Sequence, residues 1–113
     1  MQARVQKAGL ASYFLSEITI AELLFGVANS AQAWQAKQRR DVAELRVIFA
    51  AQVLPIGTAL ETFAEQKVYL RRLGCLVDSF DLLIGSTALT HGLTLVARNT
   101  RHFADMQGIV LED

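Results

Sequence analysis

Short apolar runs alternate with longer amphipathic stretches along this chain. Leu10 to Leu15 (LASYFL, bounded by Gly9 and Ser16), Gln52 to Ile56 (QVLPI), Thr94 to Ala97, and Ile109 to Leu111 after Gln107-Gly108 each read as a short buried strand. The stretches between them carry helical spacing. One helix opens at Ser16 or Thr19, where Thr19-x-x-Glu22 has capping-box spacing, and runs to about Val27 before the Asn29-Ser30 turn. A second starts near Ala31 and places Trp34, Val42, Leu45, Ile48 and Phe49 on one face. A third follows Gly57-Thr58, turns Leu60, Phe63, Ala64, Leu70 and Leu73 inward and stops at Gly74; a fourth runs from about Ser79 to Thr90. Gln2 to Lys7 continues a helix with no capping signal at its start. Pro55 has no N–H to give a ladder, which puts its strand at a sheet edge.

Strands alternating with helices predict a three-layer α/β/α domain with a mainly parallel sheet. In such sheets polar groups gather at the carboxyl ends of the strands. Val77 to Phe103 is the most complete instance. Asp78 and Asp81 open an apolar helix, and the strand beyond it ends in Arg98-Asn99-Thr100-Arg101-His102. Glu22, Asp81 and Asn99 all stand where a strand ends or where a helix begins after one, so a parallel sheet brings them to one rim.

Composition narrows the classes. With 113 residues, of which 52% are hydrophobic, the chain is one domain with material for a core. Eleven basic residues balance eleven acidic ones, so any nucleic-acid contact is local rather than a global positive field. The single cysteine, Cys75, has no disulfide partner and reads as a filler in a reducing, cytoplasmic setting. No apolar run approaches the roughly 18 residues that span a bilayer.

Converging carboxylates repel one another unless a cation lies between them, and oxygen-only ligands favour Mg²⁺ or Mn²⁺. That chemistry is metal-assisted attack of water on a phosphodiester. The structural alternative stands beside it. Asp78-x-x-Asp81 also fits a helix N-cap with a second acid in the first turn, and Thr19-x-x-Glu22 fits the same role. Asn99 alone also fits a turn. Arg98, Arg101 and His102, with Arg71 and Arg72 elsewhere, are candidate phosphate contacts or simply a solvated rim.

Three blocks, Ser16 to Gly26 (SEITIAELLFG), Asp78 to Ala88 (DSFDLLIGSTA) and Leu93 to Phe103 (LTLVARNTRHF), resemble the PIN-domain ribonucleases, specifically the VapC-type toxins of type II toxin-antitoxin systems. They occur in that family's order and at about its spacing. The resemblance implies a sheet of strand order 3-2-1-4-5, an Mg²⁺ or Mn²⁺ site, endoribonuclease activity on RNA, a homodimer, and an antitoxin that occupies the active-site groove. It assigns Glu22 and Asp81 as metal-holding acids and Asn99 to a position held by Asp or Asn. Ser16 and Thr19 match small hydroxyl positions, and Asp78 matches a variable acidic neighbour.

The chain departs from the family at its front, where a first strand ending in a metal-binding Asp is expected. Leu10 to Leu15 then corresponds to the family's second strand, and the three later runs to its third, fourth and fifth. Without the central strand, the 3-2 pair is separated from the 4-5 pair and two inner edges stand open, which favours pairing with another chain. The expectation is a homodimer or higher oligomer, strand-swapped or not, or a poorly stable chain, and RNA cleavage that is weak or absent because one metal-binding acid is missing. Two other readings remain open: a catalytically inactive antitoxin-binding or self-association module, and an unrelated doubly wound phosphoacceptor or ligand-binding domain.

Overall fold

The structure, a computed structural model, describes residues 12–113. The Gln2–Lys7 helix and much of the Leu10–Leu15 strand therefore lie outside the described residues. From there the chain runs β1 (Leu15–Ser16), α1 (Glu17–Ala28), α2 (Gln32–Ile48), β2 (Val53–Leu54), α3 (Leu60–Arg72), α4 (Ser79–Thr90), β3 (Leu95–Val96) and β4 (Leu111–Glu112). Short 3₁₀ turns at Ala50–Gln52, Ile56–Ala59 and Thr100–His102 shape the connections.

The strands form two separate parallel pairs. β1 lies beside β2 with Leu15 opposite Val53, and β3 beside β4 with Leu95 opposite Leu111. Among the described residues no ladder joins the pairs into one sheet. Both are neighbours in the expected order: β2–β1 corresponds to 3-2 and β3–β4 to 4-5. The ladders are shorter than the apolar runs that announced them. In the QVLPI run, the turns at Ala50–Gln52 and Ile56–Ala59 take both ends, leaving only Val53 and Leu54 in the ladder. The Gln52 amide instead donates to the Tyr13 carbonyl at 2.6 Å, tying the approach to β1.

Helices bridge the two pairs. α4 packs against α3, against α1 and against the Ile56–Ala59 turn. Leu82, Gly85, Ser86, Thr87 and Ala88 are all buried, so α4 is enclosed on several sides, as its lack of a polar face requires. The core forms where Leu82 meets Leu70 of α3 and Phe103 and Met106 of the segment after β3. Gln66, also buried, clamps that segment: its amide donates to the Gln107 carbonyl at 2.8 Å and accepts from the Gln107 N–H at 2.9 Å.

Local capping explains the helix boundaries. Ser16, not Thr19, caps α1, its hydroxyl accepting from the Ile18 N–H at 3.1 Å, and the helix begins at Glu17. α3 ends at Gly74 with φ +75°, where Cys75 N–H reaches back to the Leu70 carbonyl and Gly74 N–H to that of Arg71. Gly92 repeats this closure after α4, a Schellman motif in both cases.

Helix faces differ in part from the periodic reading. Val42, Phe49 and Leu70 are buried, but Trp34, Ile48, Leu60, Ala64 and Leu73 are exposed. Periodicity defines which side chains share a face, whereas burial depends on how far the neighbouring element reaches along it. Among the described residues no helix is long and apolar enough to cross a membrane.

Candidate active site

The carboxyl ends of β1 and β3 feed the elements that carry the candidate chemistry. β1 passes directly into α1, which places Glu22 on its second turn. Asp81 lies in the first turn of α4, and Asn99 and His102 flank the turn that follows β3. Because α1 packs against α4, Glu22 comes within electrostatic reach of Asp81, about sixty residues further along the chain.

Electrostatics record that meeting. Glu22 has its carboxyl pushed above the ordinary 4.5, first because neighbouring structure strips part of its hydration, then by repulsion from Asp81, then from Asp78. Asp78 has a separate task as the N-cap of α4. One of its oxygens accepts from the Phe80 N–H at 3.0 Å and from the Asp81 N–H at 3.4 Å. That fixes the first turn and with it the place of Asp81, so the capping and acidic-site readings of Asp78-x-x-Asp81 divide between its two members.

Asp81 is half-buried and engaged by His102, whose Nδ1 lies 3.3 Å from Asp81 Oδ2. The other ring nitrogen, Nε2, lies 3.2 Å from Nδ2 of Asn99. Asn99 thus meets Asp81 through an imidazole. His102, expected only as a rim cation, instead touches the central carboxylate. The Asn99–His102 contact follows from their i, i+3 spacing, because such side chains eclipse in a 3₁₀ turn; the contact with Asp81 has no such local signal.

Arg98 and Arg101 are exposed on the rim beside this turn, free to meet a phosphate. Ser16 is buried and capping, and Thr19 is half-buried on the turn before Glu22. Glu17, which sequence reading passed over, accepts the Ile56 N–H at 2.9 Å and ties α1 to the end of β2. Burial first, and then the carboxylate of Asp105, push the Cys75 thiol up, against thiolate formation.

Among the described residues no group of three or more His, Cys, Asp and Glu side chains forms a metal cage. The Glu22–Asp81 pair nevertheless suits a divalent cation. Its donors are all oxygen, its members repel when unpaired, and a hard cation with most positions open to water and phosphate needs only one or two carboxylates.

The sequence pattern of the PIN domain matches residues 2–109. Ribonuclease VapC2 of Rickettsia felis is 32% identical over 102 residues, covering 88% of this chain and 72% of that protein. The FitAcB structure from Neisseria gonorrhoeae superposes with a TM-score of 0.84 at 28% identity, covering 98% of this chain and 81% of that one. VapBC-5 of Mycobacterium tuberculosis, a member of the VapBC family of toxin-antitoxin systems, superposes with a TM-score of 0.73 at 26% identity, over 88% and 78% of the respective chains.

Proposed function

Because this chain belongs to the PIN domain family, we propose that it is an endoribonuclease toxin of a toxin-antitoxin pair, cutting RNA at a divalent-metal site held by Glu22 and Asp81. The observation that carries this reading is the convergence of the two acids from α1 and α4, expressed in the raised Glu22 carboxyl. Mg²⁺ or Mn²⁺ bound there supplies a Lewis acid and a water of lowered pKa. The chain's own residues do the rest. Asp78 fixes the turn that presents Asp81, while Arg98 and Arg101 hold the RNA backbone at the rim by phosphate contacts that carry no sequence preference. With two carboxylates among the described residues, metal occupancy and cleavage follow the metal concentration.

The cognate antitoxin covers the exposed apolar side chains. Phe25 on α1 is 69% exposed and Phe80 in the first turn of α4 is 49% exposed, both on the helices that carry the acids. A partner seated there shields apolar surface and the site together.

The test is cleavage of single-stranded RNA or tRNA with Mg²⁺ or Mn²⁺ titrated in. Cleavage should depend on metal, cease with chelator, and fall to the level of a protein-free control in Asp81→Ala. Activity indifferent to chelator or to Asp81→Ala would refute the assignment. An antitoxin-binding module without catalysis would instead show partner binding and no cleavage at any metal concentration.

A further inference from the structure

The contacts around His102 constrain its proton. Asp81, as a carboxylate, only accepts hydrogen bonds, so a hydrogen on Nδ1, 3.3 Å from its Oδ2, suits the contact. Nδ2 of Asn99 only donates, so Nε2 at 3.2 Å from it must carry none. Together these contacts fit the Nδ1–H tautomer of the neutral ring. The local backbone holds the arrangement. Asn99 and His102 stand three residues apart around the Thr100–His102 turn, and the next residue, Phe103, is buried in the core beside Leu82 of the helix that carries Asp81.

We propose that Asn99 and His102 form a positioning pair for Asp81: Asn99 fixes the tautomer, and the Nδ1–H so presented occupies Oδ2 and leaves Oδ1 for the cation. The pair rests on the metal-site reading above and deepens it. It gives Asn99 a role through His102 instead of on the metal. It also turns His102 toward the site rather than toward a phosphate. Hydrogen-bonded partners behind metal ligands typically change metal affinity about 10- to 100-fold when removed.

Nitrogen-15 NMR of the labelled chain, above the ordinary imidazole range so that the ring is neutral, reads the tautomer directly and needs neither metal nor RNA. The Nδ1–H form should dominate in the native chain and give way toward Nε2–H in Asn99→Ala. A dominant Nε2–H form in the native chain, or a tautomer unmoved by Asn99→Ala, overturns the proposal. Mn²⁺ titration of two variants then tests position. In His102→Asn the side-chain amide replaces Nδ1 and should keep most of the affinity, whereas in His102→Gln the amide replaces Nε2 and should lose about tenfold. Equal losses in both overturn the positioning role. A native chain with the Nδ1–H form intact but no Mn²⁺ binding would leave the pair standing and remove the metal site instead.

Discussion

Glu22 holds a charge that its surroundings resist. Its carboxyl is raised above 4.5 by lost hydration and by Asp81 and Asp78, so between the ordinary and the raised value the folded chain binds more protons than the unfolded one. Stability from this group is therefore fully present below 4.5 and declines as pH rises through the raised value. In metal-free protein, Glu22→Gln should flatten that decline and stabilise the chain at neutral pH, by less than about 1 kcal/mol because the side chain is exposed and screened. Thermal melts across the acid range check the sign; a variant less stable than the native chain at neutral pH would contradict the repulsion. Ser86 is a second residue at odds with its place. It is fully buried on α4, and its hydroxyl has no partner among the described residues. Ser86→Ala should stabilise the chain by about 1 kcal/mol in urea unfolding, since it removes a buried group left without a hydrogen bond. The place of Asp81 was legible at this scale because it sits in a helix-opening pattern, whereas the capping-box spacing of Glu22 does not open its helix. The role of His102 was not legible, because it depends on the shape of one 3₁₀ turn.

Among the elements, α4 was the most readable. The Asp78 cap, the Ser79 start and the glycine-closed end all follow from local chemistry, and the observed helix has the expected bounds. The strands were less so. Ladder length is decided by the 3₁₀ turns that compete for their ends, and the apolar runs do not encode that competition. Packing on α4 yields a further prediction. A Cβ at Gly85 would lie 2.5 Å from Met106 Sδ and 2.9 Å from its Cε, inside a buried cluster with little room to move. Gly85→Ala gains up to about 1 kcal/mol of helix propensity but overpacks a filled core, at a cost of about 1–3 kcal/mol. The net effect should be destabilising by roughly 1 kcal/mol. In a Met106→Ala background the same change should become stabilising, and a double-mutant cycle measures the difference. Additive effects would mean that Met106 does not press on Gly85.

Among the described residues, two parallel strand pairs bridged by helices leave ladder edges open, and several large apolar side chains face outward. Val47 is 77% exposed, Phe25 69% and Trp34 60%. Open edges and apolar patches of this kind favour association. Light scattering of the isolated chain should show concentration-dependent oligomers, and a monodisperse, stable monomer would contradict the account. The pairing of strands followed from family order, whereas the side chains left exposed depend on how far each helix reaches along its neighbour. The convergence of Glu22 and Asp81 also belongs to this scale, since only the docking of α1 on α4 creates it. Its most direct test is Mn²⁺ binding by the native chain and three isosteric variants, followed by electron paramagnetic resonance. Glu22→Gln and Asp81→Asn should each abolish the tightest-binding Mn²⁺, while Asp78→Asn, which keeps a competent helix cap, should retain it. Mn²⁺ binding that survives both Glu22→Gln and Asp81→Asn would show that the two acids do not form one site.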